Sequence, residues 1–215
     1  WLSLPWVIKP LWSPFIDLIK SKRWWITTMQ LLIGAGLAGL AFTVPTSYFF
    51  QLTLAVFWLL AFSSATHDIA ADGFYMLGLS SHEQALFVGI RSTFYRIATI
   101  AGQGLLIMLA GRLETSTQNI PFAWSITFMV LSGVFLALWG YHKFVLPRPH
   151  SDASAHQVST STLMHEFWAT FVSFFRKEQA GIAILFMLLY RLPEAQLAKM
   201  SIPFLIDPIE QGGLG

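Results

Sequence analysis

Six stretches of this chain are apolar for long enough to cross a bilayer: roughly 2–19, 24–44, 48–77, 84–110, 121–146 and 179–206. A spanning helix needs about 20 predominantly apolar residues, and an isolated chain can satisfy its backbone inside lipid only as helix or closed barrel. The composition supports lipid as the solvent. Hydrophobic residues make up 55% of the chain and charged residues 11%, against roughly 25% charged in soluble domains. The expected class is therefore an all-α polytopic membrane protein with six transmembrane helices. With no cysteine, disulfides, a thiolate nucleophile and a cysteine-bound metal are excluded. The net charge of +2 is too small to suggest nucleic acid.

The third stretch is too long to lie wholly in lipid, so its polar end from about Thr66 should emerge or line a cavity. Lys9, Pro10 and Pro14 interrupt the first, which predicts a kinked helix. Gly34, Ala35, Gly36, Ala38 and Gly39 would let a neighbouring backbone approach the second closely. Basic residues cluster in alternate junctions: "KSKR" (Lys20 to Arg23) after the first stretch, and Lys143, Arg148, Arg176 and Lys177 after the fifth. The opposite junctions are "TVPTS" and "GRLETSTQNIP". The positive-inside rule puts the first, third and fifth junctions in the cytoplasm. The chain opens at Trp1 without a charged leader or cleavage site, which argues against a signal peptide. The expectation is an internal piece of a longer chain, with a complete six-span protein as the alternative.

Residues 147–179 form the one long polar stretch. It starts as a flexible loop, "PRPHSDASAHQVSTST". In "LMHEFWATFVSFFRKEQ", Leu163, Phe167, Phe171, Phe174 and Phe175 recur at helical spacing. That pattern fits an amphipathic helix on the cytoplasmic membrane surface or a plain extension of the sixth span. The expected organisation is five spans over 1–146, a linker over 147–178, and a further span within 179–215. His142, His150, His156 and His165 show no ligand spacing, so no metal site and no cofactor is expected.

The stretch "ATHDIAADGFYMLGLSSHEQALFVGIRSTFYR" puts charges between two highly apolar runs. Asp68 and Asp72 are four apart and share one helix face. Two carboxylates this close in a low dielectric do not both ionise easily, which suits a proton carrier. Arg91 and Arg96 lie on the next helix, where antiparallel packing brings the ends together. Structural ion pairs, or helix ends meeting water, are the plainer reading. The last span carries "YRLPEA", with Arg191 and Glu194 three apart and Pro193 expected to break the helix. A broken helix with charges in an apolar span is a way to build a midplane site. His67 reads as a hydrogen-bonding neighbour of Asp68 rather than a metal ligand. An enzyme fits poorly: phosphatidyl-alcohol transferases need aspartates three apart and a later pair, and diaspartyl proteases need theirs on two helices. Nothing reads as a channel filter.

"WSPFIDLIKSKRWW" resembles the loop between helices two and three of the major facilitator superfamily. Ser13 stands where that family has glycine, Asp17 matches its aspartate, and Lys20, Lys22 and Arg23 match its basic cluster. "ATHDIAADG", the Arg-containing helix after it, and "LYRLPEAQLAKMSIPFLID" look like the AmpG-type muropeptide permeases, to which acetyl-CoA transporters are related. The resemblance covers nearly the whole chain, aligned to helices two to seven of a twelve-helix fold. It implies a monomeric secondary transporter in the bacterial inner membrane, taking a small-molecule substrate with protons. In that frame Asp17, Lys20 and Arg23 would form a cytoplasmic gate, and Asp68 and Asp72 the proton-coupling pair. Arg91, Arg96, Arg191 and Glu194 would bind an anionic sugar–peptide, with Trp58 and Tyr190 stacking on a sugar face. The absence of proline from "IATIAGQGLLIMLAG" favours a symporter over an antiporter. A non-transporting receptor or scaffold on the same fold is the alternative.

Overall fold

The computed structural model describes residues 2–149, 152 and 160–214. The chain divides into two compact units, Trp1–Val158 and Ser159–Gly215.

In the first unit the opening apolar stretch is not one helix. It is a short α1 (Leu4–Ile8), a 3-10 turn (Lys9–Leu11) and α2 (Ser13–Ile19). All three pieces carry proline at their first or second position. A proline lacks the N–H that a preceding turn would bond, yet its fixed φ suits a helix start. The expected kink is thus a set of restarts.

Four longer helices follow: α3 (Lys22–Thr43), α4 (Phe49–Gly78), α5 (Ser81–Ile100) running through a π-turn (Ala101–Leu105) into α6 (Leu106–Thr117), and α7 (Ile120–Val145). Among the described residues, α3, α4, α5–α6 taken together, and α7 are long and apolar enough to cross a membrane. They coincide with the second to fifth expected spans. Local chemistry sets their ends. Ser21 accepts a hydrogen bond from the Trp24 N–H at the start of α3. Ser80 and Glu83 form a reciprocal capping box on α5, which satisfies two orphan donors at once. Asn119 caps α7 through the Phe122 N–H at 3.0 Å. At the end of α6, Gln118 adopts the left-handed region at φ 53°, a common way to stop a helix.

The core of this unit is built on α3, which packs against both α4 and α7. Ile33, Leu37 and Leu40 are buried against Val56, Phe57 and Leu60 of α4 and Phe128, Leu131 and Phe135 of α7. Glycine makes this possible at two positions. A methyl placed on Gly34 would lie 2.8 Å from a methyl of Leu136, and one on Gly36 would lie 2.8 Å from a methyl of Leu60. The buried Ser132 hydroxyl donates to the Gly34 carbonyl at 2.7 Å. Ala35, by contrast, is exposed, and a side chain at Gly39 would meet nothing within 4 Å.

The second unit holds α8 (Thr160–Phe175), α9 (Ala180–Ile206) and a 3-10 turn (Ile209–Gln211). On α8 the rings of Phe167, Phe171 and Phe175 follow one another at 6.1 and 5.1 Å. α9 stays helical through Pro193 and Pro203, so Pro193 does not break it. The missing N–H costs one backbone bond, which is tolerated inside a helix that is otherwise intact.

Gly34→Val should overpack the α3–α7 contact and destabilise the full-length protein by about 1–3 kcal/mol. Gly39→Ala, which meets open space, should raise stability by up to about 1 kcal/mol through helix propensity. Opposite shifts in the thermal unfolding midpoint in detergent are the expected readout.

Candidate functional site: two ion pairs at the polar end of α4

The last three turns of α4 carry His67, Asp68, Asp72, Gly73 and Tyr75. The α4–α5 turn that follows is closely braced. The Tyr75 hydroxyl donates to the Gln84 carbonyl. The Gln84 side-chain amide donates to the carbonyls of Leu79, at 2.9 Å, and Met76, at 3.3 Å. These bonds fix where α5 leaves α4.

The two aspartates are each bound to a cation of a different element. Asp68 Oδ2 accepts from Lys9 Nζ at 2.7 Å. Lys9 comes from the 3-10 turn of the opening segment, and its ammonium also sits 5.5 Å from the Trp6 ring centroid. Asp72 Oδ1 pairs with the Arg91 guanidinium of α5. That guanidinium lies 5.7 Å from the Tyr75 ring centroid, which adds a cation–π contact. Among the described contacts each aspartate is bonded to its own cation rather than to the other. The side chains of Lys9 and Asp68 are 32% and 27% exposed; those of Arg91 and Asp72 are 53% and 37% exposed. The second pair is the more open.

Other residues singled out in the sequence fall elsewhere. Arg96 is exposed on α5. Five residues along a helix turn it about 140° from Arg91, so the two arginines do not line one face. Trp58 meets Phe62 at a ring distance of 6.0 Å, and Phe62 meets Trp12 at 5.6 Å. This aromatic row joins α4 to the opening segment. Trp58 precedes Asp68 by ten residues, or about 15 Å along the helix, so it is not part of the charged cluster. Tyr190 lies in the second unit, exposed and stacked on Phe186 at 6.1 Å. The side chains of Asp17, Arg191 and Glu194 lie outside the described ones.

At the basic junction, Lys20 is exposed and extended after α2. Arg23 is built in: its Nε donates to the Leu146 carbonyl at 3.1 Å, and its guanidinium also donates to the Lys143 carbonyl. The Asp152 carboxylate accepts from the backbone N–H groups of Lys22, at 2.7 Å, and Arg23, at 3.0 Å. Asp152 is 7% exposed. Its negative charge sits on the first turn of α3, where the helix dipole favours it.

Lys9 and Asp152 are the residues that sequence reasoning missed as partners. A lysine between prolines in an apolar stretch was the available signal for the first. Nothing local points Asp152 at a helix start 130 residues earlier. Among the described residues, no three His, Cys, Asp or Glu side chains gather closely enough to hold a metal ion.

Comparisons with known proteins extend this picture. The profile of the BT1 family matches residues 1–195. An uncharacterized protein of Haemophilus influenzae is 29% identical over 96% of this chain and 47% of its own length. A putative transporter AmpG 4 of Rickettsia conorii is 25% identical over 95% of the chain and 49% of its own length. An anhydromuropeptide permease of Escherichia coli is 26% identical over 93% of the chain and 39% of its own length. The chain spans about half the length, or less, of these curated relatives. No solved structure gives a significant match.

Removing Lys9 and Asp68 together, as Lys9→Met with Asp68→Asn, should cost less than the sum of the single changes. The coupling expected for a contacting pair is about 0.5–3 kcal/mol. Asp152→Ala should separately cost about 1 kcal/mol by uncapping α3. Thermal unfolding of the four Lys9/Asp68 variants and of Asp152→Ala, in the full-length protein, checks both.

Proposed function

The chain belongs to the BT1 family, which is related to the major facilitator superfamily, and from that premise we propose that it is part of a proton-coupled secondary transporter. Its substrate class is a muropeptide-like sugar–peptide or a related anionic metabolite, taken up across a bacterial inner membrane. The observation that carries the reading is the Asp72–Arg91 pair, a carboxylate and a guanidinium on two apolar helices. Intramembrane charges are costly and mark ion or substrate pathways. The permease and transporter names of the relatives support the class.

A coupling step follows from this pair. Arg91 can serve either Asp72 or a substrate carboxylate, and a guanidinium matches either with a fork of two hydrogen bonds. A proton on Asp72 removes its charge and releases Arg91 to the incoming anion. Loss of that proton to the cytoplasm restores the internal pair and expels the substrate carboxylate. Proton and substrate then travel together, as symport requires. Asp68 has Lys9 as partner and holds the opening segment; Arg96, Arg191, Glu194, Trp58 and Tyr190 are secondary candidates for the substrate.

In the same reading the six apolar stretches are helices two to seven of a twelve-helix fold. Residues 1–146 belong to the first half, 147–178 to the cytoplasmic linker with α8 on the membrane surface, and 179–215 to the second half. Asp17, Lys20 and Arg23 stand at the cytoplasmic gate, and the protein acts as a monomer. A receptor or scaffold on the same fold is the alternative and would show no substrate-dependent proton flux.

The test uses full-length protein in proteoliposomes. Asp72→Asn should abolish accumulation driven by a proton gradient while preserving counterflow of an anhydro-muropeptide, because the amide imitates the protonated acid. Concentrative uptake that survives Asp72→Asn sinks the coupling assignment. Loss of counterflow as well, with normal expression, points instead to a structural pair.

A further inference from the structure

Tyr75, on α4, touches α5 at two points. Its hydroxyl donates to the Gln84 carbonyl in the first turn of α5. Its ring centroid lies 5.7 Å from the Arg91 guanidinium, which starts about two helical turns further on. On α4, Asp72 and Tyr75 are three residues apart and are neighbours on one face. Arg91 therefore meets a carboxylate and an aromatic ring on the same side of α4.

The two contacts differ in kind. The carboxylate holds Arg91 by charge and hydrogen bonding, and loses most of that hold once it takes a proton. The ring holds it through a quadrupole, which does not titrate. The charge-assisted pair is the stronger, so a deprotonated Asp72 keeps Arg91. A protonated Asp72 leaves the ring. Without the ring, a long arginine stem on a helix with no buried residue would turn its charge out to water.

Among the described contacts, the other charges nearby are engaged elsewhere. Asp68 is bound to Lys9. Glu83 is bound to Ser80 in the cap of α5, about 12 Å along that helix from Arg91. Lys22, whose stem crosses α4 at Gly73, has contacts of its own. The ring itself is fixed through Gln84, whose carbonyl accepts the Tyr75 hydroxyl. The Gln84 amide donates in turn to the carbonyls of Leu79 and Met76.

We propose that Tyr75 is a positioning residue for the Asp72–Arg91 pair. It keeps the guanidinium at the site after Asp72 is protonated, with the charge ready for the incoming substrate carboxylate. This rests on the coupling role proposed for the pair, but the contact between ring and cation can be measured without transport.

Two measurements on the full-length protein test it. The first is a double-mutant cycle of Tyr75→Leu and Arg91→Gln by thermal unfolding, run with Asp72 intact and again with Asp72→Asn. Coupling should persist in the Asp72→Asn protein, and its loss there overturns the proposal. The second is counterflow of an anhydro-muropeptide in proteoliposomes. Tyr75→Leu should raise KM about 2–5-fold, as for loss of a partly exposed cation–π contact, with the maximal rate unchanged. Tyr75→Phe keeps the ring and should retain the original KM, while loss of the Gln84 bond lowers its unfolding midpoint. A KM for Tyr75→Leu equal to that of the unmodified protein, or one shared by Tyr75→Leu and Tyr75→Phe, overturns the proposal. If Tyr75→Leu does not fold, mono-, di- and trifluorophenylalanine at position 75 replace it in both measurements. Each fluorine weakens the ring quadrupole at nearly constant size, so KM should climb along the series, and a flat series overturns the proposal. Concentrative uptake that survives Asp72→Asn sinks the coupling reading alone, and the unfolding cycle still decides on Tyr75.

Discussion

A carboxylate on an apolar helix keeps its charge only beside a compensating partner, and both aspartates of α4 find theirs on other elements. Lys9 ties Asp68 to the opening segment, and Arg91 ties Asp72 to α5. The charged end of α4 is therefore a junction of three parts of the chain. Each pair is partly open to solvent, so its Coulomb energy in water would be small. Inside a membrane the same geometry matters more, because removal of one partner strands the other in a poor solvent. The opening segment is three short helical pieces, and the described contacts that hold it include the Lys9–Asp68 bond, the Trp12–Phe62 contact, the burial of Ile16 with Ile26 and Ala70, and buried Pro5.

That junction is carried by α3, which glycine lets approach α4 and α7. Gly34 and Gly36 set the separation in the middle of the bundle, and Gly73 acts at the end. A methyl on Gly73 would collide with Cε of Lys22. The glycine after Asp72 thus leaves room for the Lys22 stem to cross α4. One residue along, Arg23, with Asp152, fastens the start of α3 to the end of α7 and the chain that follows it. Part of the polar linker therefore belongs structurally to the helices before it.

Much of the helical layout was legible because it is written in runs of apolar residues and in caps. The second, third and fifth apolar stretches became helices within two residues of their expected limits, while the fourth, expected over 84–110, runs from Ser81 to Thr117 through a π-turn. The small-residue segment of α3 did mark a close approach, although the sequence could not say that Gly34 and Gly36 face neighbours while Ala35 and Gly39 do not. The prolines were harder. Pro10 and Pro14 begin new pieces, yet Pro193 sits within a continuous α9. Flanking context, not proline itself, separates these cases. The charge pairing was least legible. Spacing put Asp68 and Asp72 together, but their partners come from 59 residues earlier and 19 residues later. Such distances leave no periodic trace, and the same is true of Asp152.

The two ion pairs differ in a way that bears on which could change state. Lys9 and Asp68 lie beside the aromatic packing of Trp6, Trp12 and Phe62, and their side chains are about one-third exposed or less. Arg91 is 53% exposed on a helix with no buried residue. A π-turn with two glycines follows that helix, and such turns relax the backbone where a helix must adjust. Parting Asp72 from Arg91 therefore displaces little packing, whereas parting Asp68 from Lys9 would loosen the whole opening segment. Coupling through Asp72 needs a bond that can open repeatedly without unfolding its surroundings. Among the described pairs, the α4–α5 bond is the more exposed and the less enclosed by packing, which is what the proposed coupling role asks of it.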